Sequence, residues 1–151
     1  MKKFDFGQTV TVLANVGVIA GIVFLGYELR QNNELLRTDA RRGLMENRVE
    51  ANKRLSDDAQ LMPLRLKAAR GEPLTEEDEA RLYHDAAVSL TLWEWEWEQF
   101  DDGLVDELPV DGYRSVIQRY PHIGSHLTQN DRSWSAEFVE WMQDNVLEEQ
   151  I

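Results

Sequence analysis

Two histidines four residues apart, His122 and His126 in the run HIGSH, form the most ligand-like pair in the chain. On a helix they share a face and could offer two nitrogens to a metal. A metalloprotease-type site would also need Glu directly after the first His, and Ile123 stands there. A third ligand would have to come from elsewhere, such as Asp131, and Gly124 weakens the helix between the two rings. The plainer reading is a pair of surface or capping histidines.

A second group is Glu94, Glu96 and Glu98, interleaved with Trp93, Trp95 and Trp97. Carboxylates on packed helices can build di-metal centres, but those also use Glu-x-x-His on partner helices. Here Arg81 precedes His84 by three residues and Arg119 precedes His122 by three, so that pattern is absent. Glu94 and Glu98 then read as a solvated acidic flank, with Glu96 on the other flank. Ser, His and Asp all occur, but no nucleophile elbow or glycine-rich loop frames them. The expectation is a protein without enzymatic activity and without a cofactor.

The element that must carry these acids is a long helix from about Glu76 to Asp102. Thr75-Glu76-Glu77-Asp78 resembles a capping box, and Gly103 ends the run. Leu82, Ala86, Leu90, Trp93, Trp97 and Phe100 recur at spacings of three and four and predict a core stripe. The alternation of Trp and Glu is also a strand signal, but the unbroken upstream stripe favours a helix. His84, Val88, Leu92 and Trp95 then make a second stripe. That stripe is either sandwiched within the domain or is a face for a partner or the bilayer surface.

Other helices follow from the same signals. Residues 28–55 carry no proline, so the preceding apolar run could continue to about Leu55 or break near Gln31-Asn32-Asn33. Leu36, Ala40 and Leu44 form a thin stripe, with Met45 and Val49 beside it. Glu46 and Glu50 can pair with Arg48 and Arg54 at helical spacing. Short helices are expected toward Arg70, over 110–120 and over 121–129. A last helix, AEFVEWMQDNVLEE, is capped by Ser135 and buries Phe138, Trp141, Met142 and Val146. The fold expected is all-α.

Residues 9–27, TVTVLANVGVIAGIVFLGY, contain no charge. About 20 apolar residues suffice to cross a bilayer as a helix. A spanning helix tolerates Gly17, Gly21 and Gly26 because its backbone is satisfied internally. Phe4, Phe6 and Tyr27 suit the interfaces. A cleaved signal peptide fits poorly: small residues are missing before any cut, and Asp5 disfavours its start. A buried core helix and a helix packed in an oligomer remain open. Gly17 and Gly21 form a G-x-x-x-G pair that would let another helix approach, and Asn15 is costly to leave facing lipid. The domains expected are an anchor at 1–30 and a small helical bundle at 31–151. Lys2 and Lys3 precede the run, while Arg30, Arg37, Arg41 and Arg42 follow it. The larger count places the C-terminal domain in the cytoplasm.

Charge is uneven over the 151 residues, whose net is −12. Residues 1–70 hold 12 Lys+Arg and 8 Asp+Glu, and residues 71–151 hold 4 and 20. The acidic part is repelled from nucleic acid, which excludes that class of partner. The absence of Cys excludes disulfides and thiolate chemistry.

The stretch VIAGIVFLGYELRQNNELLR resembles the start of a group of small bacterial membrane-anchored helical proteins with no assigned activity. In that group an apolar run ends in Tyr-x-x-x-[IL]-R-Q-N. Tyr27, Leu29, Arg30, Gln31 and Asn32 match it with a shorter spacing between the Tyr and the Leu. The similarity extends to the acidic helix start at 75–79 and to the long helix ending near Asp102-Gly103-Leu104. The resemblance implies a single-pass protein of the bacterial inner membrane and carries over no chemistry. The expected partners are the bilayer and other transmembrane helices. The expected role is an accessory subunit or assembly module, with a homo-oligomeric module and a membrane-tethered metal-dependent enzyme as alternatives.

Overall fold

No proline interrupts the first third of the chain. There the computed structural model, which describes residues 6–147, forms one unbroken helix, α1 (Phe6–Asp57). No break occurs at Gln31-Asn32-Asn33. Lys2, Lys3, Phe4 and Asp5 lie outside the described residues, as do Glu148 and Glu149. Among the described residues every regular element is helical, so the fold is all-α. The chain divides into two units, Met1–Asp39 and Ala40–Ile151.

In the first unit none of the described side chains of the helix is buried. Every large apolar side chain described from Val10 to Tyr27 is at least half exposed, including Leu13, Ile19, Ile22 and Phe24. Among the described residues this is the one helix long and apolar enough to cross a membrane, and none of its apolar window is buried. Arg30 and Glu34 form an exposed pair one turn apart at 3.4 Å. Leu36 is also exposed.

In the second unit, residues 40–57 of α1 are followed by α2 (Leu61–Ala69), α3 (Glu76–Asp101), α4 (Val110–Arg119), α5 (Pro121–Gln129) and α6 (Ala136–Met142). A 3₁₀ turn at Asp131–Ser133 precedes α6, and a π-helical turn at Gln143–Leu147 follows it. Pro63 falls in the first turn of α2 and Pro121 opens α5, where a missing N–H costs nothing.

The start of α3 is held as its sequence demands. Thr75 Oγ1 accepts the Asp78 N–H and Asp78 Oδ2 accepts the Thr75 N–H, both at 3.1 Å. Lys67 Nζ sits 2.6 Å from the same carboxylate. The hydrogen bond from Lys67, followed by that from the Thr75 backbone, holds the Asp78 carboxyl at about 2. At the other end Gly103 has φ +68°, which an L side chain rarely adopts.

The core lies where α3 packs on α5, α5 on α4, and α4 on the π-helical turn. Leu90, Ile123, Leu127, Phe138, Met142 and Val146 are fully buried there. The predicted α3 stripe is the core stripe through Leu82, Ala86, Leu90 and Trp93; Trp97 packs on the edge of the core, and Phe100 is 37% exposed. Gly124 has a packing reason: a Cβ there would stand 3.0 Å from Ile117 Cγ2, so α4 and α5 approach closely across it.

Two local expectations are corrected. Ser135 stands at the N-cap of α6, but its side chain makes no capping bond. Its backbone N–H instead donates to Glu94 Oε1 at 2.6 Å, and its hydroxyl is buried without a partner. Arg48 and Arg54 also do not pair along their own helix. They cross to α3, and Glu50 is left near Lys53 at 4.0 Å.

Candidate functional site

α3 carries two carboxylates along one edge of its apolar stripe. Asp85 follows Leu82 by three residues, and Glu96 follows Trp93 by three. Eleven residues is about three helical turns, so both face the same way. Their exposures are 3% and 2%, so neither belongs to a solvated flank. A buried carboxylate must be paired and hydrogen-bonded to stay charged, and each of these is.

Arg65 grips Asp85 with two bonds, Nε to Oδ2 at 2.7 Å and Nη2 to Oδ1 at 2.8 Å. Arg54 reaches from α1 and donates Nη2 to Oδ1 at 2.8 Å. His122 Nε2 lies 3.3 Å from Oδ2. The Arg65 guanidinium also sits 5.1 Å over the Tyr120 ring. Burial alone would raise the Asp85 carboxyl. The hydrogen bonds with His122 and Arg65, and the charges of Arg65 and Arg54, outweigh it and hold the group at about 2.

Glu96 is held from the other side. Arg48 donates Nε to Oε1 at 3.1 Å and Nη2 to Oε2 at 3.4 Å. The Tyr113 hydroxyl donates to Oε2, and the Tyr113 ring lies 4.6 Å from that of Trp93. Burial, then the Glu96 hydrogen bond, pushes the Tyr113 phenol far up, so it remains a donor. The bond to Glu96 also raises the Arg48 guanidinium against its partial desolvation.

The expected histidine pair is divided between these surroundings. His122 faces Asp85, and its Nδ1 is buried without a partner. His126 is buried between Tyr83, at 4.3 Å, and Trp134, at 5.5 Å, in edge-on contacts. Burial, then the charge of His122, lowers the His126 pKa and favours the neutral ring. Among the described residues no three His, Cys, Asp or Glu side chains come together as a metal cage. On the second stripe of α3, His84 and Val88 are exposed, and Leu92 is half-buried. Trp95 lies over α1: a Cβ at Gly43 would stand 2.9 Å from its Cη2. In the first unit Gly17 and Gly21 have open space beside them. They share a face, while Asn15 lies about 160° round the helix from Gly17.

Arg54 and Arg65 also line a cavity of about 380 Å³ together with Leu55, Val88, Leu92 and Trp93. Arg48, Arg54, Arg65, Asp85 and Tyr113 form no motif or local spacing that marks them as a site in the sequence. The available signal was an acid three residues after a core residue, a spacing that Glu137 shares with Trp134 while staying exposed, so spacing alone does not single out the buried pair.

No protein-family model matches the chain, and no curated protein or solved structure matches it.

The Asp85 cluster makes stability depend on acid. Its folded value lies below the unfolded carboxylate value of about 3.9. Its stabilisation is therefore complete above about pH 4 and is lost as pH falls through about 2. Thermal unfolding followed between those limits should give a steeper fall in melting temperature for the parent than for Asp85→Asn. Equal slopes would contradict the assignment.

Proposed function

We propose that the chain is a non-catalytic single-span membrane protein, an accessory subunit or assembly module of a membrane complex. The observation that carries this is the exposure of the apolar helix on every side. A core helix of a water-soluble domain would be mostly buried, whereas a helix apolar all round requires an apolar surrounding. Lipid supplies that surrounding. Arg30, Arg37, Arg41 and Arg42 support a C-terminal domain in the cytoplasm, and the resemblance of residues 18–37 supports a bacterial inner membrane.

The non-catalytic reading rests on the buried acids. Asp85 and Glu96 are consumed by guanidinium, imidazole and phenol partners that fix helices to one another. A general base drawn from this cluster would need an unsatisfied carboxylate or ring reachable from solvent.

The accessory role rests on Asn15, Gly17 and Gly21. Small residues at 17 and 21 let another helix come close. Asn15 points away from that face, and its amide has no hydrogen-bond partner among the described residues. A helix with a small-residue face and a polar residue on the far side suits two neighbours better than one symmetric contact. The homo-oligomeric reading keeps the glycine face and leaves Asn15 to a backbone carbonyl. Gly17→Leu with Gly21→Leu should abolish co-purification of foreign membrane subunits from mildly solubilised membranes, while leaving the protein membrane-bound. Undiminished association would remove the glycine contact.

A further inference from the structure

In the first unit one face of α1 carries a heptad seam. Asn15, Val18, Ile22, Leu25, Leu29, Asn32 and Leu36 recur at alternating steps of three and four, which keeps them on one side of a helix. Asn15, Ile22, Leu29 and Leu36 take the a positions, and Val18, Leu25 and Asn32 the d positions. All seven are exposed, the aliphatic ones by more than half. Within the apolar run lipid can cover them. Past Tyr27 it cannot, yet Leu29 and Leu36 still stand one heptad apart, at 64% and 53% exposure. The charges of that stretch avoid the seam. Arg30, Glu34 and Arg37 lie between about 80° and 160° round the helix from both leucines. Neither Asn15 nor Asn32 has a side-chain hydrogen-bond partner among the described residues. The next d position, Asp39, is charged and closes the seam. The face of Gly17 and Gly21 does not continue in this way, since the same steps lead from Gly21 through Phe24 to Glu28.

A repeat of seven residues specifies a helix running alongside as the cover, because only a supercoiled partner stays on such a seam. Three features make that helix a second copy of this one. The membrane holds copies inserted the same way parallel, and Ile at a with Leu at d, as at Ile22 and Leu25, favours a parallel pair. Each seam amide then meets its own counterpart, and an amide both donates and accepts. Of the residues flanking the seam past Tyr27, Glu28 is the charged one, and in a parallel pair it stands beside Asn33 of the second copy. No like charges therefore meet. We infer that α1 pairs in parallel with the α1 of a second copy along the seam from Asn15 to Leu36. The parallel orientation rests on the single-span reading.

The chain has no Cys, so single cysteines can be placed one at a time over positions 28–37 of the full-length protein. Each variant is oxidised in native membranes, and the product of twice the chain mass is checked by mass spectrometry to contain this chain alone. Crosslinking should peak at Leu29→Cys, Asn32→Cys and Leu36→Cys. Those yields should exceed that of Glu34→Cys, which lies on the far side and reports random collision, by about fivefold or more. A flat profile or a maximum at Glu34→Cys overturns the proposal, as does crosslinking at the seam to foreign chains only. The accessory role fails separately. A seam-centred dimer without foreign subunits supports the pairing and removes that role, whereas foreign subunits with a flat profile remove the pairing and leave the role standing.

Discussion

Asp85→Ala should cost the Ala40–Ile151 unit about 3–5 kcal/mol, the cost of breaking a buried ion pair from one side. The substitution strands Arg65, whose side chain is 7% exposed and loses both of its bonds to Asp85. Arg54 and His122 lose the same carboxylate. The penalty comes from the uncompensated buried charge rather than from the net worth of the cluster. Asp85→Leu combined with Arg65→Met should therefore recover most of the loss, since apolar groups of similar volume often replace a buried pair without cost. Denaturant unfolding followed by tryptophan fluorescence would measure both. A loss below about 1 kcal/mol for Asp85→Ala, within the range of an exposed pair, would show that the cluster is not a buried keystone of the fold.

Ile19→Arg with Ile22→Arg should move the protein out of the membrane fraction. Both side chains lie near the middle of the uncharged run and are more than 60% exposed. On insertion scales each arginine costs about 2.5–3.5 kcal/mol at the centre of a spanning helix. Two together shift the insertion balance by several factors of ten, since each 1.4 kcal/mol is about tenfold. Alkaline carbonate extraction should leave the parent in the pellet and release the double variant. If the variant resists extraction as well as the parent does, the apolar helix is not what holds the chain to lipid.

Helix type and boundaries were legible because their signals are local. Thr75 and Asp78 cap α3 from within four residues, Gly103 ends it, and the apolar spacing from Leu82 to Trp93 marks its buried side. The buried charges were not legible in the same way. Arg48 and Arg54 have acids within one turn on their own helix, and local spacing points to those. Their actual partners, Glu96 and Asp85, lie 48 and 31 residues away in sequence. Desolvation decides the choice: an acid covered by neighbouring helices has no water to turn to, whereas Glu46 and Glu50 keep theirs. Glu96 was hidden because helical steps of about 100° place it on the flank opposite Glu94 and Glu98, and nothing local in the sequence says that α1 meets that flank through Arg48. The end of α6 carried no local sign of its widened π turn at Gln143–Leu147. The ring contacts that bury His126 come from Tyr83 and Trp134, 43 residues before it and eight after it, which the spacing of HIGSH could not disclose.

The proposed role as an accessory subunit is tested most directly on native membranes. The full-length protein would be extracted in mild detergent and its native mass measured, with every co-purifying chain identified. The account predicts a stoichiometric set of foreign membrane subunits. A lone chain, or an integer multiple of this chain alone, would contradict it.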